Sequence, residues 1–139
     1  MKIAAIKKED LNVLWPTVLP MFECALEFEH GQLTPEKIYN RIMAGNLVLL
    51  VALDEDDKIV AEQTLEVWKT ETETICNLVT TGGNRMNEWL TDMAEVIDKL
   101  AVEFDCDVIR TRGRLGWLKV LKSQGYEPMY FVAQKRVNA

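Results

Sequence analysis

Histidine is almost missing from this chain, His30 being the only one. Cysteine is sparse as well: Cys24, Cys76 and Cys106 are odd in number, far apart and never arranged as Cys-x-x-Cys. These two shortages argue against a structural zinc site. The thiols read as small reduced hydrophobes, and nothing local supports pairing Cys76 with His30 as a nucleophile. Positive charge is also short. Sixteen Lys and Arg face 22 Asp and Glu, a net charge of −6 that disfavours nucleic acid as a partner. Apolar runs such as Leu47 to Leu53 are far too short to cross a bilayer. No charged-then-apolar leader opens the sequence, so a cytoplasmic location is expected.

What is present suits one soluble α+β domain spanning residues 1–139, with 48% hydrophobic and 27% charged residues. Met1 to Ile6 reads as a first strand. Leu11, Leu14, Val18, Phe22 and Leu26 then recur at helical spacing, with Pro16 and Pro20 predicting a kink or break. Phe28 to Gly31 reads as a loop. Thr34-Pro35 opens a second helix, Thr34 as its cap, ending near Gly45. Asn46 to Leu53, Ile59 to Trp68 and Thr72 to Thr80 read as three strands of an antiparallel meander, joined by polar turns at Asp54–Lys58 and Lys69–Glu71.

The stretch from Asn77 to Leu100 organises the rest. A strand ends at Val79, Gly82-Gly83 is expected to turn the chain, and apolar residues from Met86 to Phe104 mark a long amphipathic helix. Such a strand, glycine turn and helix start gather free N–H groups and a positive dipole end, which attract phosphate. Asp105 to Thr111 reads as a strand parallel to or beside the third meander strand. Leu115 to Ser123 is a short helix stopped by Gly125, and Tyr126 to Val137 a last strand.

This succession of elements resembles the GNAT (Gcn5-related N-acetyltransferase) fold: a mostly antiparallel twisted sheet flanked by helices. The resemblance implies acetyl-CoA as cofactor and an amine as acceptor. The family's pyrophosphate turn reads Gln or Arg, two residues, Gly, one residue, Gly or Ala. Aligned on Gly83, this chain has Thr80 first and Arg85 last, so one position of the signature survives. The cofactor seat implied is Val79, Thr80, Gly82, Gly83, Asn84 and Arg85, with Arg114 as a further phosphate partner. The family's general-acid Tyr falls on Leu121, which has no proton to give. Arg112-Gly113-Arg114-Leu115-Gly116-Trp117-Leu118, with Gly125-Tyr126, is similar to small bacteriophage and prophage GNAT-like proteins.

For amine acetylation the candidate bases are the strand carboxylates Glu62, Glu66, Glu71 and Glu73, with Glu73 and Glu66 favoured. Any single one of them is better explained as part of a solvated outer face. Arg110, Arg112 and Arg114 form a concentrated positive patch, suited to CoA phosphates or an acidic partner. No metal ligands stand out. Two functions follow: an N-acyltransferase with a degenerate signature, or a catalytically silent fold acting through protein contacts at Arg112–Trp117. The second would suit a virion component or an oligomer.

Overall fold

The computed structural model describes residues 1–27, 33–113 and 115–137. The loop expected at Phe28–Gly31, with His30, and the phosphate partner Arg114 lie outside those residues.

Five strands form one sheet in chain order: β1 (Lys2–Ala5), β2 (Val48–Leu53), β3 (Ile59–Lys69), β4 (Thr74–Gly83) and β5 (Val108–Thr111). β1 through β4 are antiparallel neighbours, while β4 and β5 run parallel. The parallel pair is joined through helix α3 (Met86–Glu103), the crossover that a strand, helix, strand succession requires. Helices α1 (Lys8–Ala25) and α2 (Pro35–Met43) precede β2. After β5 come a 3₁₀ turn (Leu115–Trp117) and the short α4 (Leu118–Ser123).

The strand alternation sorts the core into two layers. On one face Leu50, Ala52, Ala61, Leu65 and Cys76 pack against Trp89, Met93, Ile97 and Ala101 of α3. On the other, Leu49 and Val51 pack against Leu11, Val18 and Phe22 of α1 and Ile38 and Ile42 of α2. Residues i and i+2 of a strand share a face, so β2 feeds both layers and is buried from Leu49 to Ala52.

Three expectations need correction. First, α1 runs unbroken through Pro16 and Pro20. Each proline removes an amide and frees the carbonyl four residues earlier. Both prolines are exposed, as is Asn12, so water can satisfy the freed carbonyls of Asn12 and Pro16. Second, Gly82-Gly83 does not turn the chain. Gly82 pairs with Glu62 and Gly83 with Ala61, so β4 continues through both. Third, Tyr126–Val137 forms no strand, because among the described residues no neighbouring strand lies beside it to accept its backbone hydrogen bonds. The short helix does stop where expected, with Gly125 at φ +89° and the Tyr126 amide donating to the Leu121 carbonyl.

Candidate functional site

The β4 backbone creates the site. Thr64 faces Thr80, but Leu65 faces Leu78, so Val79 is an extra residue and bulges the strand. On its other side β4 pairs with β5 only from Ile75 to Leu78, opposite Val108 to Thr111. From Val79 to Gly83, among the described residues, that edge has no strand beside it. The two parallel strands therefore part beside the bulge. Such an edge can hydrogen-bond an extended ligand as an added strand would.

The glycines are where they are because neighbouring backbone is too close for a side chain. A Cβ on Gly82 would lie 2.4 Å from the Met21 carbonyl oxygen of α1. One on Gly83, at φ +128°, would lie 2.4 Å from the Val60 carbonyl oxygen. The turn comes after them. The Asn84 amide donates to the Val60 carbonyl, and Arg85 sits in the left-handed region at φ 60° as the cap of α3.

Arg85 already has its anions. Its Nε and Nη2 donate to the two oxygens of Glu88 at 2.6 and 2.8 Å, a bidentate pair. Asp54 and Glu55 stand within 3.7 and 3.6 Å of the same guanidinium. The Glu88 hydrogen bonds push the Arg85 pKa up, and those to Arg85 hold Glu88 below its ordinary value. Asp54, Glu55 and Asp56 form an acidic turn in which Asp54 also accepts the Asp56 and Lys58 amides at 2.8 and 2.9 Å. The Lys58 amide is the main cause of the low Asp54 pKa. A phosphate approaching Arg85 thus meets three carboxylates around one cation.

Of the carboxylates considered as bases, Glu66 and Glu73 are both engaged. Glu66 pairs with Arg41 of α2 through one oxygen and accepts the Asn77 side-chain amide through the other, at 2.9 Å. Glu73 pairs with Arg110 of β5 at 3.1 Å. It lies before β4 begins, in a turn where the Thr70 hydroxyl accepts the Thr72 and Glu73 amides. Glu71 and Glu73 are therefore turn residues and not the strand carboxylates expected.

Glu62 is different. It is fully buried, at 0% exposure, between β3 and α1. The Thr80 hydroxyl donates to its Oε2 at 2.9 Å, while its Oε1 has no hydrogen-bond partner among the described residues. Burial pushes its pKa up from 4.5 to about 8, against a smaller lowering by Thr80. Thr80 and Thr64 share a hydrogen bond at 2.6 Å, and the Thr80 amide donates to Thr64 Oγ1 at 3.0 Å. A chain of buried polar groups thus links Glu62 to Thr80, next to the bulge, and to Thr64. No sequence signal separated Glu62 from the other strand glutamates; only the position of α1 does.

No aligned proton donor replaces Leu121. Tyr126 is half-buried on the α3 side, and burial, with Asp98 and Cys76 nearby, pushes its phenol up to about 12. Trp89 is core, its indole N–H donating to the Asn84 carbonyl at 2.6 Å. Arg112 and Gly113 are exposed and Trp117 is partly covered. None of the described helices is long and apolar enough to cross a membrane.

No family model and no curated protein sequence matches the chain. Solved structures do. An aminoglycoside acetyltransferase from an uncultured soil metagenomic sample, in complex with sisomicin, superposes with a TM-score of 0.70 at 15% identity, over 99% of this chain and 95% of that one. Glucosamine-6-phosphate N-acetyltransferase from Arabidopsis thaliana gives 0.68 at 14%, over 99% and 98%. An aminoglycoside 6'-N-acetyltransferase from Acinetobacter baumannii gives 0.71 at 13%, over 99% and 98%. At these identities the shared property is the fold, a five-stranded, mostly antiparallel sheet flanked by helices.

Proposed function

We propose that this chain, which has the GNAT acetyltransferase fold, is an acyl-CoA-dependent N-acyltransferase with a worn cofactor seat. The observation that supports this most is the parting of β4 from β5 after Leu78 and Thr111, which leaves Val79–Gly83 as an open backbone edge beside a bulge. The fit to the cofactor is divided. The open edge suits the extended amide-bearing arm, whereas the Arg85 end offers one guanidinium already held by Glu88, Asp54 and Glu55. Affinity is therefore expected to be low.

When bound, acyl-CoA supplies an activated acyl thioester. The protein's own part is to orient that arm along β4 and to accept the proton of the attacking amine. Glu62 is the carboxylate tuned for this, since a base acts best with a pKa near the working pH. Being covered by α1, it takes the proton through the Thr80 hydroxyl, which among the described residues is the group donating to it. Leu121 leaves proton return to the thiolate to solvent. The acceptor is an amine, and the segment Arg112–Leu118 points to a phage or prophage source.

Titration calorimetry with acetyl-CoA tests the seat. Binding is expected at a dissociation constant of roughly 0.1–1 mM. Glu88→Gln, which frees Arg85 from its bidentate partner, is expected to tighten binding about threefold. Arg85→Glu is expected to abolish it. No heat at millimolar ligand overturns the enzyme reading. The observation favouring a silent, protein-binding fold is the same carboxylate collar around Arg85, and that null titration is its expected result.

A further inference from the structure

Arg110 carries more hydrogen-bonding capacity than the fold uses. Its Nη2 donates to Glu73 at 3.1 Å, a single contact from a side chain with several N–H donors. Its Nε is buried and, among the described residues, has no hydrogen-bond partner. A buried donor left unpaired is costly and calls for a reason. Arg85, by contrast, is gripped by Glu88 through two donors. As a staple for β5, Arg110 is under-used; as a receptor for an anion it has donors to spare.

Its place in the sheet says which anion. Ile109 packs in the α3 layer, so Arg110, the next residue of β5, stands on the opposite face. Glu62, Thr64 and Glu66 share that face, since they alternate with Ala61 and Leu65, which pack toward α3. The register sets Glu66, Asn77 and Arg110 in one row across β3, β4 and β5. Glu66 and Asn77 are occupied with each other and with Arg41. The side chain of Arg110 is 21% exposed, at the border strand and one residue before β4 and β5 part. Thr80, through which Glu62 takes its proton, lies opposite Thr64 and so further along the same face. The step from Thr64 to Glu66 advances about 7 Å, and crossing from β4 to β5 adds about 5 Å sideways, which puts Arg110 about 8 Å from Thr80.

We propose that the acceptor amine carries a carboxylate about 8 Å from its nitrogen, and that Arg110 receives that carboxylate. This rests on the acyltransferase reading above. The planar guanidinium matches a planar carboxylate, and Glu73, holding only one nitrogen, leaves room for it. Arg110 fixes where the amine lies; the N–C bond that forms and the C–S bond that breaks are unchanged. The spacing selects ω-amino acids. In 6-aminohexanoate the nitrogen and the carboxyl carbon are about 7–8 Å apart when extended, whereas in an α-amino acid they are about 2.5 Å apart.

Nuclear magnetic resonance titration of the isotope-labelled full chain tests this without turnover, using 6-aminohexanoate, hexylamine and glycine to about 20 mM. The first is expected to bind about tenfold or more tighter than the other two, with shifts along β4 and β5. Arg110→Gln should erase the preference over hexylamine. Glu73→Gln breaks the same ion pair but removes the competing carboxylate, and should sharpen the preference about threefold. A residue that only stapled β5 would weaken binding in both variants. Equal binding of 6-aminohexanoate and hexylamine overturns the proposal while leaving acetyl-CoA binding, and so the enzyme reading, intact. So does a preference that survives Arg110→Gln. A preference that behaves as expected in a protein giving no heat with acetyl-CoA supports Arg110 as the receptor and removes only acyl transfer.

Discussion

Stability is expected to fall as pH rises from about 4.5 to about 8 and to level off above that, because of Glu62. The sign follows from proton counting. In this window the folded state keeps Glu62 protonated, whereas the unfolded chain releases the proton. The unfolded state therefore binds fewer protons, and raising the pH favours it. Each unit of pKa difference is worth about 1.4 kcal/mol at its limit. Relaxation around the carboxylate reduces the total, leaving an expected loss of roughly 3 kcal/mol by pH 8.5. Glu62→Gln keeps the shape and removes the charge, so urea midpoints of this variant should match wild type near pH 4 and exceed it at pH 8.5. Identical profiles for the two proteins would show that Glu62 is solvated.

The same substitution separates the catalytic role from the structural one. Activity on an amine acceptor should climb with pH toward an apparent pKa near 8 while stability declines, since only the ionised carboxylate accepts a proton. In Glu62→Gln the climb should vanish, although the protein is more stable than wild type at that pH. A residue that merely held the fold would not move the two quantities in opposite directions.

Gly83→Ala is expected to be the most damaging single methyl group in the chain. The new Cβ would meet the Val60 carbonyl oxygen at 2.4 Å and the Ala61 Cα at 2.5 Å, both backbone atoms in the ladder. The φ of +128° adds a conformation that L side chains rarely adopt. Overpacking and backbone strain each cost about 1–3 kcal/mol, so a loss of roughly 4 kcal/mol is expected. That is a large share of a typical domain's total of about 5–15 kcal/mol, and the urea midpoint should fall sharply. Gly116→Ala is the control. Nothing lies within 4 Å of its added Cβ, and its urea midpoint should stay within experimental scatter of wild type. A Gly83→Ala protein as stable as that control would mean β4 ends before Gly83.

The succession of strands and helices was readable because each buried face leaves a period, as in Leu11, Val18 and Phe22 of α1 or Met93 and Ile97 of α3. What escaped depended on partners distant in sequence. Gly82-Gly83 looks like a turn until Met21 and Val60 are placed against it. Arg85 looks like a phosphate ligand until the acidic turn at Asp54–Asp56 folds beside it. Glu62 shares its residue type and its strand with Glu66, yet α1 buries one while Arg41 pairs the other. Pro16 and Pro20 misled for a related reason. A proline breaks a helix when its freed carbonyl is hidden, and which side of α1 is hidden is a tertiary fact. Tyr126–Val137 has the composition of a strand, but a strand exists only beside another.

The spatial order of the strands, β1 to β5 without permutation, bears on how the chain comes off the ribosome. Every strand joins the border left by the one synthesised before it, and none must be threaded between two already in place. The sheet can therefore grow outward in the direction of translation. The parallel pair waits only for the 24 residues from Asn84 to Asp107, α3 among them, a short delay in a process that adds about ten residues per second.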